Sequence, residues 1–179
     1  MSAHILRMRW KRLTNQILKN YIPTLLLPSV LGILSGVLAG NISLIYASLN
    51  LPPLSPPTYV FGIVWPILYI LMGVSCYLVC QKSPSQTQAT LPYAFQLFLN
   101  FIWPILFYRI GNFLIASLVA LCLSLAIIWM IYVFYQIDPV AAYLQIPYLL
   151  WSLFANYLCW MITFLNWQKN GQNVHFLFD

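Results

Sequence analysis

The chain has 179 residues, of which 62% are apolar and 6% charged, and its mean hydropathy is +0.83. Soluble domains carry about 25% charged residues, so this composition excludes a water-soluble enzyme and calls for a membrane. Eight Lys and Arg stand against two acids and five of them precede residue 20, so the net charge of +6 marks contact with a membrane surface and argues against a nucleic-acid partner.

Residues 1–21 form a basic leader, in which Arg7, Trp10, Lys11 and Arg12 would suit either a short amphipathic surface helix or an unstructured tail. Beyond it, 62 uncharged residues separate Lys19 from Lys82, 26 separate Lys82 from Arg109, 28 separate Arg109 from Asp138, and 30 separate Asp138 from Lys169. A bilayer core takes about 20 apolar residues per helix. The first interval is broken by Pro52, Pro53, Pro56 and Pro57 and therefore holds two spans. The expected architecture is all-α, a polytopic five-transmembrane-helix bundle over residues 22–166, with helices near 22–46, 57–80, 92–110, 112–136 and 140–166, and a tail over 167–179. The runs are apolar on every side, which does not fit the alternating pattern of a transmembrane β-barrel.

With the N-terminus inside, Arg7, Arg9, Lys11, Arg12, Lys19 and Lys82 lie on the inner side and only Arg109 and Lys169 on the outer. That bias predicts N-in, C-out, suiting a bacterial inner membrane; the Arg-rich, acid-free leader is also compatible with an organellar one.

No ionisable side chain is expected deep in a span, because His4 and His175 are terminal and Arg109 and Asp138 sit at helix ends. Ion-coupled transport, acid–base catalysis, a metal centre and haem held by an axial imidazole therefore lack their residues, and no catalytic residue or required cofactor is assigned. Cys76 and Cys80 lie one turn apart but have no His or acid beside them, so they read as small buried residues. The abundant resource is aromatic surface, 30 Trp, Tyr and Phe. Phe61, Trp65 and Tyr69 share a helical face, as do Asn100, Trp103 and Phe107, and Tyr148, Trp151 and Ala155. Such stripes serve either helix packing or a cavity that stacks a flat apolar ligand. Asn100 and Asn156 need partners within the bundle, and Gly32, Gly36 and Gly40 make a small-residue ridge for close packing within the chain or in a homodimer.

Three blocks resemble the TspO/MBR family, the tryptophan-rich sensory proteins and translocator proteins: Pro52 to Tyr69 around Val64-Trp65-Pro66, Gln96 to Phe107 around Asn100-Phe101-Ile102-Trp103-Pro104, and Pro147 to Leu158 around Trp151 and Ala155. The resemblance implies a five-helix bundle, often dimeric, with a pocket capped by the first loop and with porphyrins such as protoporphyrin IX or haem, sterols, or benzodiazepine-type drugs as ligands. Carried over by position, its pocket residues are Tyr59, Trp65, Tyr69, Asn100, Trp103, Trp151, Ala155 and Leu158. A bulkier side chain than Ala155 is then expected to weaken binding.

The chain departs from the family pattern in the loop, where Leu51 and Leu54 replace a cation and a tryptophan, and in the fifth helix, where Cys159 and Thr163 stand at positions usually Asn and Trp. No basic residue follows Tyr148 or Tyr157 at the spacing of a cholesterol-recognition pattern. The function expected is a membrane binding protein, a receptor or carrier for porphyrins in tetrapyrrole handling or stress signalling. The alternatives are light- and oxygen-dependent porphyrin degradation, with the bound ligand as its own photosensitiser, and a ligand-free membrane assembly role.

Overall fold

The computed structural model describes residues 22–82 and 87–169; the basic leader and most of the tail lie outside the described residues. Helices α1 (Ile22–Ala39) and α2 (Ile42–Ala47) come first, then α3 (Thr58–Lys82) and α4 (Thr87–Pro104), which runs into a π-turn at Ile105–Arg109. Helix α5 (Phe113–Ile137) is followed by the short α6 (Pro139–Tyr143), by α7 (Ile146–Leu165) and by a 3-10 turn at Trp167–Lys169. Four stretches, Thr58–Lys82, Gln88–Arg109, Phe113–Ile137 and Pro139–Leu165, are long and apolar enough to cross a membrane, and Leu25–Ala39 is a shorter apolar helix. This is a helical membrane bundle of about five helices, with no strand among the described residues.

The first span is not the continuous helix expected over 22–46. Gly40 adopts φ +85, a left-handed conformation that costs other L-residues about 1–2 kcal/mol and ends α1. Asn41 then restarts the chain as α2, its side-chain oxygen accepting from the Leu44 N–H at 3.2 Å. The third span starts at Thr87, ahead of the expected Pro92. Pro92 lacks an N–H, so it forfeits only one bond, to the carbonyl four residues back, near the helix start. At the other end Pro104 precedes the π-turn, which the Ile110 N–H closes onto the Ile105 carbonyl at 3.0 Å. The fifth span is broken between Tyr143 and Ile146, where the buried Gln145 occupies the joint.

Helix α1 packs on α3 and α4, α4 on α5, and α5 on α7, while α3 meets the fifth span through α6. Gly73 allows α3 to approach the Leu25 carbonyl of α1 so closely that no Cβ would fit. Polar ties join the apolar surfaces: Ser35 donates to the Phe101 carbonyl at 2.6 Å, and Ser75 to that of Ala141 at 2.7 Å. Asn156 donates to the Ala120 carbonyl, Ser124 Oγ and the Ser152 carbonyl at 2.6–3.1 Å, acting as an interhelical tie. Ile33, Val37 and Leu44 stay exposed, as lipid-facing side chains do.

The core has two centres. One gathers Met72, Leu97, Ile127, Met130, Phe134 and Tyr148, and the other Tyr46, Phe107, Tyr108, Phe113, Ala116 and Ile162. Trp65 packs against both. Next to the first, Lys82 and Asp138 form an ion pair at 3.0 Å. The Lys82 ammonium, helped by the Val140 N–H, holds the Asp138 carboxyl below its ordinary value against the opposing effect of burial. At the opposite end the proline-rich loop is tied to the end of α7. The Asn50 N–H donates to Asn166 Oδ1, and Asn166 Nδ2 returns a bond to the Asn50 carbonyl, both at 2.9 Å. Tyr46 and Tyr157 donate to the Pro56 and Pro53 carbonyls, each at 3.0 Å.

Candidate ligand-binding site

A cavity of about 270 Å³ opens where the first three spans converge. Ser29, Gly32, Ile33, Gly36 and Ile42 line it from the first span, Phe61, Gly62, Trp65, Pro66 and Tyr69 from α3, and Trp103, Pro104 and Tyr108 from the third span. Trp65 and Tyr69, one turn apart, stack with ring centroids 5.5 Å apart and an interplanar angle of 27°, forming a continuous flat wall. Tyr69 lies directly on Gly32, where a side chain would occupy the space of its ring. Its hydroxyl donates to Asn100 Oδ1 at 3.2 Å.

Trp65, Tyr69 and Trp103 are thus brought together on one cavity, and Asn100 stands behind its wall. Asn100 Nδ2 donates to the Tyr148 hydroxyl at 2.9 Å, which in turn donates to Gln96 Oε1 at 3.0 Å. Ala155 and Leu158 belong to a separate space of about 20 Å³, bounded also by Phe61 and Trp103. Such a space holds about one water molecule and no ring. Phe61, Trp103 and Tyr108 line both spaces and stand between them. Trp151 faces an outer apolar groove with Val64, Ile67, Leu68, Pro147, Leu150 and Phe154, and touches Phe61 edge-on at 5.9 Å. Tyr59 is exposed and outside the lining of all three.

The three glycines of the expected ridge have three settings. Gly32 is the seat for Tyr69, Gly36 has open space within 4 Å and lines the cavity, and Gly40 sits at the left-handed joint after α1. Phe61 was legible as part of the α3 stripe, but its role as a divider was not. Tyr108 carried no signal, because its side chain reaches the cavity by way of the π-turn. Among the described residues no group of three His, Cys, Asp or Glu could hold a metal ion, and the cysteines are unpaired.

The chain matches the TspO/MBR family over residues 24–165. It is 34% identical over 150 residues to the tryptophan-rich protein TspO of Archaeoglobus fulgidus, covering 79% of this chain and 96% of that protein. It is 34% identical over 124 residues to the tryptophan-rich sensory protein of Cereibacter sphaeroides, covering 69% and 78%. With the human translocator protein it shares 38% identity over 122 residues, covering 64% and 72%. The match spans every element that builds the cavity, and on it the chain is a multi-pass integral membrane protein belonging to the TspO/MBR family.

Proposed function

We propose that this protein is a membrane receptor or carrier for a flat, apolar ligand of the tetrapyrrole class, such as protoporphyrin IX or haem, held in the cavity between the first three spans. The observation that carries this reading is the stacked wall of Trp65 and Tyr69 on a cavity that Trp103 also lines. Ring faces of this kind bind an aromatic ligand by dispersion and offset stacking, without any charged group. At about 270 Å³ the cavity is just below the usual range of about 300–1,000 Å³ for small-molecule pockets, so a macrocycle inserts one edge and leaves the rest toward the lipid. The porphyrin is cargo in this reading, and no resident cofactor is required.

The remaining expected site residues take supporting places. Asn100 orients Tyr69, Trp151 braces Phe61, and Ala155 with Leu158 offers a second compartment if Phe61 turns aside. Tyr59 meets a ligand only outside the cavity. The excess of Lys and Arg from Arg7 to Lys82 supports an orientation with the N-terminus in the cytoplasm, in which the Lys82–Asp138 pair lies inside and the proline-rich loop outside. A homodimer would use the exposed face of α1 away from the cavity lining, around Val30 and Val37.

Titration of detergent-purified protein with protoporphyrin IX, followed by tryptophan quenching and the Soret shift, tests the reading. Saturable binding that Trp65→Ala weakens at least about fivefold is the expected result, since stacking contributes about 0.5–1.5 kcal/mol beyond the area buried. Unsaturable uptake, or equal affinity in the variant, would remove the cavity as the site.

A further inference from the structure

The cavity wall is the open end of a hydrogen-bond ladder whose members all donate in one direction. Tyr69 donates to Asn100 Oδ1 at 3.2 Å, Asn100 Nδ2 to the Tyr148 hydroxyl at 2.9 Å, and that hydroxyl to Gln96 Oε1 at 3.0 Å. Asn100, Tyr148 and Gln96 are buried, with 4%, 0% and 0% of their surfaces exposed. Gln96 is the closed end, because its Nε2 has no hydrogen-bond partner. Tyr69 lies at the open end, its ring lining the cavity and its hydroxyl beside Gly32.

A hydroxyl has one hydrogen and two lone pairs. With its hydrogen committed to Asn100, Tyr69 has only lone pairs left for anything in the cavity. Reversing this requires four groups to turn together: both amides must flip and both hydroxyls must swing round. The sense is therefore a property of the whole ladder, which runs from the Tyr69 hydroxyl to its terminal acceptor, Gln96 Oε1. We propose that Gln96 and Tyr148, neither of which lines the cavity, are positioning residues that hold Tyr69 as an acceptor and so select ligands carrying an N–H or O–H donor. The inference rests on the cavity being a ligand site and adds the chemical class of the contact. A ligand offering only an acceptor at this point meets lone pairs, and one offering a methyl group leaves a buried polar atom without its partner, which is the costly case.

The probes are carbazole and N-methylcarbazole, flat three-ring molecules that differ by one N–H donor, titrated into detergent-purified protein by calorimetry. The unaltered chain is expected to prefer carbazole by about tenfold, the usual scale of one satisfied buried hydrogen bond. Gln96→Leu and the isosteric Tyr148→Phe are each expected to bring the ratio of the two affinities close to unity, with Tyr69→Phe doing the same by removing the acceptor itself. The ratio is the diagnostic quantity, because a merely loosened bundle weakens both probes alike and leaves it unchanged. Saturable binding of both probes with equal affinity to the unaltered chain, or a preference that survives Gln96→Leu and Tyr148→Phe, overturns the inference while the cavity stands. Absence of saturable binding by either probe overturns this inference alone where protoporphyrin IX still binds saturably and Trp65→Ala weakens it, and removes the cavity reading as well where protoporphyrin uptake is unsaturable.

Discussion

Tyr69 rests on Gly32 so closely that the α1 backbone itself is the floor under the ring. One small residue on the first span thereby fixes the orientation of an aromatic wall on the second. Gly32→Ala forces the Tyr69 ring aside, and overpacking of this kind costs about 1–3 kcal/mol. At Gly36 nothing lies within 4 Å of an added Cβ, so Gly36→Ala is expected to leave stability unchanged or raise it by up to about 1 kcal/mol through helix propensity. Thermal unfolding of the two variants in detergent checks the contrast.

The small space beside Ala155 is separated from the larger cavity by Phe61, Trp103 and Tyr108, which line both. The effect of enlarging Ala155 therefore depends on Phe61. Ala155→Phe puts a ring where the small space holds none, so it must push Phe61 or Trp103 toward the cavity. Alone it is expected to weaken porphyrin affinity about tenfold, and in a Phe61→Ala background, where the ring has room, to change it less than about twofold, a coupling of neighbouring positions that a double-mutant cycle measures. Additive effects would mean that Phe61 does not stand between Ala155 and the ligand.

Asn156 has its amide donors on Ala120, Ser124 and Ser152, away from the cavity lining. Asn156→Leu removes that tie, and interhelical hydrogen bonds in membrane proteins average about 0.6 kcal/mol with a maximum near 1.7. A loss of about 1 kcal/mol in unfolding free energy, with porphyrin affinity intact, is the expected outcome. A large affinity loss in a stable variant would mean that Asn156 serves the site.

The carboxyl of Asp138 titrates below its ordinary value because Lys82 stands beside it. A group whose folded pKa is depressed adds stability above its unfolded value, here about 3.9, and loses it as pH falls through the folded pKa. The chain is therefore expected to unfold at lower temperature as the pH drops below about 4, and Asp138→Asn should lie below the unaltered chain at pH 7 yet converge with it in acid. Asn still accepts from the Val140 N–H, so the variant isolates the charge from the helix cap. Parallel melting curves at all pH values would show that the ion pair contributes nothing.

Local chemistry made much of this protein legible. Charge-free intervals longer than a bilayer core, bounded by single charges, identified the membrane bundle, because burying an ionisable group in lipid is costly whatever the tertiary arrangement. Period-of-four aromatic spacing put Phe61, Trp65 and Tyr69 on one face, and the structure adds Trp103 to that wall. Three ordered blocks carried the family resemblance, and the family match covers the same stretch. Asn100 and Asn156 announced themselves as amides that needed partners in an apolar interior.

Tertiary structure alone decided which faces meet and which backbone joints bend. Gly40 breaks the first span through a positive φ that apolar composition does not encode, and the π-turn after Pro104 rotates Tyr108 into the cavity by an amount that regular helical spacing cannot predict. Residues that the block pattern grouped into one pocket are divided because Phe61, Trp103 and Tyr108 fill the space between them, a matter of side-chain volume that no single segment sets. The ladder from Tyr69 to Gln96 joins residues 31, 48 and 52 positions apart, and the direction of its hydrogens exists only once those helices are packed. Membrane insertion depends on what each segment is made of, and is therefore written along the chain. The site depends on what each side chain touches, and distances between helices are not.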